Sequence, residues 1–175
     1  MLKPAKVKIT VACAIPKASK MDDIVDKLTQ LGVDRIIPLE TEREIIKLDK
    51  HKRIFRQARW KKIALNASRQ SQRNTLPAIE SIKNIKELLS QVDAYDLRLI
   101  PTLTGIREAF QEILTKAKAK DILVFIGPEG DFTQEEINLA KRAGFIPVSL
   151  GDLVLRVETA AVAVASFIRI YYADS

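Results

Sequence analysis

The sequence predicts one α/β domain built on a largely parallel sheet flanked by helices. Three observations carry that expectation. Apolar residues recur with a period of two in short segments and at helical spacing in longer ones, and the two kinds alternate along the chain. The run Ile122–Ile126 is apolar without interruption, as a strand covered on both faces should be. No linker, repeat or low-complexity tract divides the 175 residues, which is an ordinary length for a single domain.

Taken in order, Lys6 to Ile15 alternates, with Val7, Ile9, Val11, Cys13 and Ile15 on one side of a half-buried strand. Ser19 is placed to cap a helix in which Met21, Ile24, Val25, Leu28 and Leu31 recur, and Gly32 closes it. Arg35–Leu39 is a short apolar strand ending near Pro38. The second half of the segment from Thr41 to Arg73 reads as a helix stopped by Pro77. Trp60, Ile63, Ala64 and Ala67 form its core stripe; Arg59, Lys62, Asn66, Arg69 and Arg73 form a stripe beside it. Ile79–Leu89 suggests a strand edge and then a helix, and Asp96–Pro101 a strand. Ile106–Lys118 reads as an amphipathic helix with Ile106, Ala109, Phe110, Ile113, Leu114 and Ala117 on its inner face. Thr133 and Glu136 have the spacing of a capping box, opening a helix that Gly144 ends. A strand over Phe145–Leu150 follows. Thr159–Ile170 is apolar almost all round, so that helix is expected to be buried; it is too short to cross a bilayer, which takes about 20 residues.

Composition excludes several chemistries. The one cysteine, Cys13, rules out an internal disulfide and a multi-cysteine zinc site, and is expected as a buried small side chain. The one histidine, His51, rules out a two-histidine metal centre and argues against a Ser-His-Asp triad; it is expected solvated in a charged loop. No signal peptide is legible in the first residues, so the expected compartment is the cytoplasm, with no membrane partner. Charge is uneven. Thr41 to Arg73 holds eleven Lys and Arg against three acids, a net +8 on a chain whose total is +7. A basic segment on an otherwise nearly neutral domain is what a polyanionic partner selects, nucleic acid first.

Ligands of parallel sheets bind beyond the carboxyl ends of the strands. There stand Gly127-Pro128-Glu129-Gly130-Asp131, a tight loop that is neither a dinucleotide fingerprint nor a phosphate loop. There also stand Leu150-Gly151 and the stretch Leu155-Arg156-Val157-Glu158-Thr159-Ala160. Pro101-Thr102-Leu103-Thr104-Gly105 ends a third strand. Each has a plain structural reading: two βα turns, and an Arg156–Glu158 pair capping the last helix.

Together, in this order and spacing, these motifs resemble the RsmE-type RNA methyltransferases of the SPOUT superfamily. The upstream stretches Lys17–Asp34, Ile37-Pro38-Leu39 with Glu42-Arg43, and Trp60 through Gln70-Ser71 and Arg73 to Pro77 resemble the same family, so the likeness covers almost all of the chain. It implies methylation of N3 of a uridine in 16S ribosomal RNA of the small subunit, with S-adenosyl-L-methionine as cofactor and no metal. It also implies a SPOUT-type sheet with a C-terminal deep trefoil knot, which general topology rules would have argued against, and a homodimer completing the site. Residues 1–175 would be the SPOUT domain. The family's N-terminal PUA-like RNA-binding domain is expected to be missing, since the first strand opens at Lys6.

The resemblance carries cofactor contacts onto Pro101, Thr102, Gly127, Pro128, Glu129, Gly130, Leu150, Gly151, Leu155, Thr159 and Ala160. Arg156 would stabilise the uridine anion, with Glu129 or Glu158 as proton acceptor. Arg59, Lys62, Arg69, Gln70 and Arg73 would contact RNA, Gln70 and Arg73 nearest the active site. Trp60 belongs to the core. The chain departs from the family pattern at Asp131, where a second glycine is common, at Leu153, where a base is usual, and at Arg69, where an acid usually precedes the Gln. Two alternatives stay open: a SPOUT-fold RNA-binding protein without activity, and a SPOUT methyltransferase with a different RNA target.

Overall fold

The computed structural model describes residues 7–17, 19–43 and 47–173. Lys6, where the sequence pattern opens the first strand, and Glu44 of the basic segment lie outside the described residues. In chain order the elements are β1 (Lys8–Ala14), α1 (Lys20–Gln30), β2 (Arg35–Glu40), α2 (Lys50–Gln70), β3 (Ala78–Ile79), β4 (Lys83–Asn84) and α3 (Ile85–Leu89). They continue with β5 (Leu97–Pro101), β6 (Glu108–Ala109), α4 (Phe110–Lys116), β7 (Asp121–Ile126), α5 (Gln134–Arg142), β8 (Ile146–Ser149) and α6 (Val157–Ala173).

The strands form one sheet in the order β3-β2-β1-β7-β5-β8-β6, with β4 also on β2, and every pairing is parallel. At its centre Val11 of β1 lies opposite Ile36 of β2 and Val124 of β7. A parallel sheet must be covered on both faces, and the buried side chains divide accordingly. Val11, Cys13, Leu28, Trp60, Leu99, Val124 and Ile168 share one cluster, beneath α1, α2, α4 and α6. Ala12, Ile37, Leu88, Phe125, Ile137 and Phe145 share the other, beneath α3 and α5. Cys13 is fully buried, as its place in the alternation requires.

Helix ends follow local chemistry. Thr133 caps α5: its hydroxyl accepts the Glu136 amide (3.2 Å), and Glu136 Oε2 accepts the Thr133 amide (2.8 Å), completing the expected box. Gly32 (φ +75°) turns the chain out of α1, and the freed carbonyls of Leu31 and Gly32 accept from the Arg169 guanidinium. Ser19 holds the N-cap position of α1, but its side chain accepts no hydrogen bond. Helix α2 ends well before Pro77. The Arg73 amide reaches the Ser68 carbonyl (2.8 Å) and the Gln72 amide that of Arg69, with Gln72 left-handed (φ +55°), a Schellman turn without glycine.

Three expectations are corrected. Helix α4 does not begin at Ile106: Glu108 and Ala109 pair with Val148 and Ser149 as a strand, and Ile106 is 94% exposed. The ladder satisfies backbone groups that the helical pattern had assigned to a first turn. His51 lies within α2, which starts at Lys50 because Asp49 caps it (Asp49 Oδ1 to the Lys52 amide, 2.9 Å). That bond holds the Asp49 carboxyl below its ordinary value. Helix α6 is buried along Val157, Ala161, Val164, Ala165 and Ile168, but Phe167 and Ile170 face outward.

Trp60 is 2% exposed between α2 and α1, and its indole N–H donates to Asp22 Oδ1 (3.1 Å). Trp60→Ala should destabilise the domain by about 3–5 kcal/mol, read as a lowered urea midpoint; a loss below about 1 kcal/mol would mean the two helices do not depend on it.

Candidate functional site

The order β7-β5-β8 brings three strand ends side by side, and the loops leaving them converge. Residues 102–107 follow β5, 127–131 follow β7 and 150–156 follow β8. Together with the first turns of α6 they line an open cleft. Its floor is apolar: Ile126, Leu150, Leu155, Val157 and Ala160. Pro101, Thr102, Gly127, Pro128, Glu129 and Gly151 also line it. An apolar floor with a few polar and backbone groups converging on it is the lining of a small-molecule site.

The loops are tied together by polar groups. Asp131 occupies the left-handed region (φ +64°), which explains a preference for glycine there; aspartate is among the few other residues that tolerate it. Its carboxylate accepts the Leu103 amide (2.8 Å) and the Phe132 amide (2.8 Å), so it couples the β5 loop to the β7 loop. A Cβ at Gly127 would lie 3.0 Å from the Phe132 ring, so a larger residue there would have to push that ring aside. Arg43, the first base of the charged segment, donates to the carbonyls of Gly130 and Asp131. The buried Glu136 carboxylate accepts the Glu42 amide (2.9 Å) besides capping α5. The loop after β2 is thereby docked on the base of the cleft.

Of the residues that the motifs assign to cofactor, Pro101, Thr102, Gly127, Pro128, Glu129, Leu150, Gly151, Leu155 and Ala160 line the cleft. Gly130 does not; its carbonyl serves Arg43. Thr159 does not either. Because α6 starts at Val157, Val157 and Ala160 share the cleft-side face and Thr159 is turned to solvent. Leu103, Arg107, Ile126, Asp131, Leu153 and Val157 line the cleft without having been singled out as contacts. Arg107 was hidden by the helical reading of its segment; its guanidinium donates to the Thr102 carbonyl (2.9 Å).

The charged residues regroup. No Arg156–Glu158 pair forms. Glu158, in the first turn of α6, lies 3.5 Å from the Lys20 ammonium, which is also 3.6 Å from Glu129. Lys20 thus bridges the two carboxylates considered as proton acceptors. It is the first residue of α1, where the helix dipole disfavours a cation and nearby anions offset that cost. The other Glu158 oxygen, Oε2, is buried with no hydrogen-bond partner among the described residues. Arg156 is exposed; its carbonyl accepts the Ala160 amide (2.8 Å), and its side chain has no ion-pair partner among the described residues.

The basic segment divides too. Lys62, Arg69 and Gln70 are exposed on α2. Arg59 is bonded to Asp22 (2.8 Å), which raises the guanidinium above its ordinary value. Arg73 is half-buried. It donates to the Thr29 carbonyl (2.9 Å) and to the Thr75 hydroxyl (3.1 Å). Burial lowers its pKa; Asp34 opposes that shift and Arg169 adds to it. Arg73 caps the carboxyl end of α1 beside the start of β2, at the opposite end of the sheet from the cleft. Within the chain Gln70 and Arg73 are therefore far from the cleft rather than nearest to it: the stripe continued past Gln70 on paper, but the Schellman turn redirects it.

Residues 3–169 match the family described as the RNA methyltransferase domain, and the chain belongs to that family. It is 31% identical over 159 residues to ribosomal RNA small subunit methyltransferase E of Bacillus subtilis, covering 88% of this chain and 62% of that protein. It is 33% identical to the protein of the same name from Mesomycoplasma hyopneumoniae, covering 90% of this chain and 67% of the relative. A Neisseria gonorrhoeae ribosomal RNA small subunit methyltransferase E, solved bound to S-adenosyl methionine, superposes with a TM-score of 0.86 at 31% identity, over 95% of this chain and 67% of that one. The chain spans between about half and two thirds of the length of the first curated relatives it matches.

Asp131→Gly keeps the backbone conformation and removes only the two carboxylate bonds. It should cost about 1 kcal/mol and speed amide exchange at Leu103, whereas Asp131→Val should cost more through left-handed strain. Unchanged exchange at Leu103 in both variants would show that Asp131 does not hold the two loops together.

Proposed function

We propose that this chain is a methyltransferase domain that transfers a methyl group from S-adenosyl-L-methionine to N3 of a uridine in 16S ribosomal RNA. The observation that carries the reading is the coincidence of site and motif: most residues assigned by resemblance to the cofactor line a single cleft formed by three loops. The cleft suits that cofactor chemically. It offers an apolar floor for an adenine ring and strand-end backbone groups for its polar edge. When bound, the cofactor supplies an electrophilic methyl group.

The chain's own part is to position and to move a proton. Glu129 lines the cleft and Glu158 lies just behind it, both held by Lys20. We assign proton removal from the uridine nitrogen to this pair. Arg156, exposed beside the cleft and without an ion-pair partner among the described residues, is assigned to the charge that develops on the base as the proton leaves. Pro101, Thr102, Gly127, Pro128, Leu150, Gly151, Leu155 and Ala160 hold the cofactor. Lys62, Arg69 and Gln70 remain as RNA contacts.

We read the C-terminal segment as knotted. After β8, near one edge of the sheet, the chain passes the ends of β5 and β7 and packs α6 against β1 and α1, a path that suits threading. We also infer a homodimer. Phe167 and Ile170 on α6, with Leu153 (79% exposed) and Val154 (71% exposed) on the cleft rim, are apolar surface of the kind a second copy covers. Among the described residues no helix is long and apolar enough to cross a membrane, and a ribosomal RNA substrate fits a cytoplasmic location.

Calorimetry with S-adenosylmethionine, followed by methylation of small-subunit RNA with mass-spectrometric identification of the base, tests the reading. Arg156→Ala should lower turnover at least a hundredfold with cofactor affinity nearly intact. No cofactor binding by the native chain would point to an inactive RNA-binding descendant, and a product other than N3-methyluridine to a different target. Phe167→Asp should convert a dimer to monomers in light scattering; a native chain already monomeric at micromolar concentration would sink the dimer.

A further inference from the structure

Helix α2 carries eight Lys and Arg and no acid in its 21 residues. Like charges three and four apart on a helix repel by a few tenths of a kcal/mol per pair, and α2 holds several: Lys52 with Arg56, Arg56 with Arg59, Arg59 with Lys62. Asp49 and Asp22 relieve Lys52 and Arg59. Lys61, Lys62 and Arg69 have no ion-pair partner among the described residues. In the second turn of α2, ahead of these cations, stands Phe55, 70% exposed. At 100° per residue, Phe55, Arg59, Lys62, Asn66 and Arg69 fall within an arc of about 80° on the solvent side. Phe55 and Lys62 lie about 10 Å apart along the axis. The opposite side is occupied by Trp60, Ala64 and Ala67, which are buried, so Phe55 has no role in the core.

We propose that Phe55 is a stacking platform for a base of single-stranded RNA, with Lys62 and Arg69 on the same face holding the strand's phosphates. The pairing of an exposed aromatic ring with unpaired cations distinguishes this occupant from others. A duplex offers phosphates but no open base face, and an apolar protein partner has no use for uncompensated lysine and arginine. Single strands use both features, stacking bases on aromatic side chains and tracking the backbone with positive charge. The proposal rests on the RNA reading for the class of partner, but not on the chemistry of the cleft.

The test is fluorescence-anisotropy titration of the native chain and variants with a labelled mixed-sequence single strand and its duplex, over a range of salt. Phe55→Ala should weaken single-strand binding roughly tenfold, near the low end of what one stacked base contributes, with duplex affinity and the salt slope unchanged. Phe55→Trp should restore it. Lys62→Ala with Arg69→Ala should flatten the single-strand salt slope by about 1.4, at roughly 0.7 per phosphate contact. Single-strand affinity indifferent to Phe55→Ala overturns the platform, as does equal loss on single strand and duplex, or no RNA binding by the native chain. If Phe55→Ala instead changes the native mass in light scattering and leaves RNA affinity alone, the ring belongs to a protein interface. A native chain that stacks RNA on Phe55 but transfers no methyl group keeps this proposal and rejects the enzymatic one.

Discussion

The parallel pairing of β1 with β7 governs the rest of the molecule. The two strands lie more than a hundred residues apart in the chain, yet Ile9–Cys13 and Ile122–Ile126 run side by side through the centre of the sheet. Both are buried on both faces, so helices must lie above and below them. Once β7 stands beside β1 and β5 beside β7, the carboxyl ends of β5, β7 and β8 are neighbours, and a cleft forms where their loops meet. The site is a consequence of strand order.

Polar satisfaction then shapes that cleft. Loops at strand ends expose backbone groups that need partners, and here the partners come from distant segments. Asp131 takes the Leu103 amide, Glu136 takes the Glu42 amide, and Arg43 takes the carbonyls after Pro128. Each bond joins two segments that the sheet merely places near one another. Lys20 does the same with charge, connecting the start of α1 to Glu129 and to the first turn of α6. At the far end of the sheet Arg73 and Arg169 cap the last carbonyls of α1.

Much of this was legible in the residues. Alternation predicted β1, the unbroken apolar run predicted β7, and the Thr133–Glu136 spacing predicted the capping box, because each depends on neighbours within one turn or one strand. The amphipathic pattern failed at Ile106–Ala109, where a two-residue ladder to β8 outweighed helical periodicity. It failed again at the end of α2, where a left-handed Gln72 terminated the helix without any glycine or proline. The candidate cofactor residues were legible as motifs, but Arg107, Lys20 and the internal duty of Arg73 were not. Nothing local to those positions records which distant carbonyl or carboxylate they will meet.

The division is physical. The amino-acid sequence by itself determined most of the periodicities, the Thr133–Glu136 cap, the excess of positive charge between Thr41 and Arg73, and the motifs of the three strand-end loops. Tertiary structure decided which strand ends became neighbours. It also decided which charges were spent inside the molecule, as with Arg43, Arg59 and Arg73, and which, as with Lys62 and Arg69, were left exposed. Short-range order follows from bonds and rotamers within a few residues; the pairing of a charge depends on which other charge the folded chain brings within a few ångströms of it.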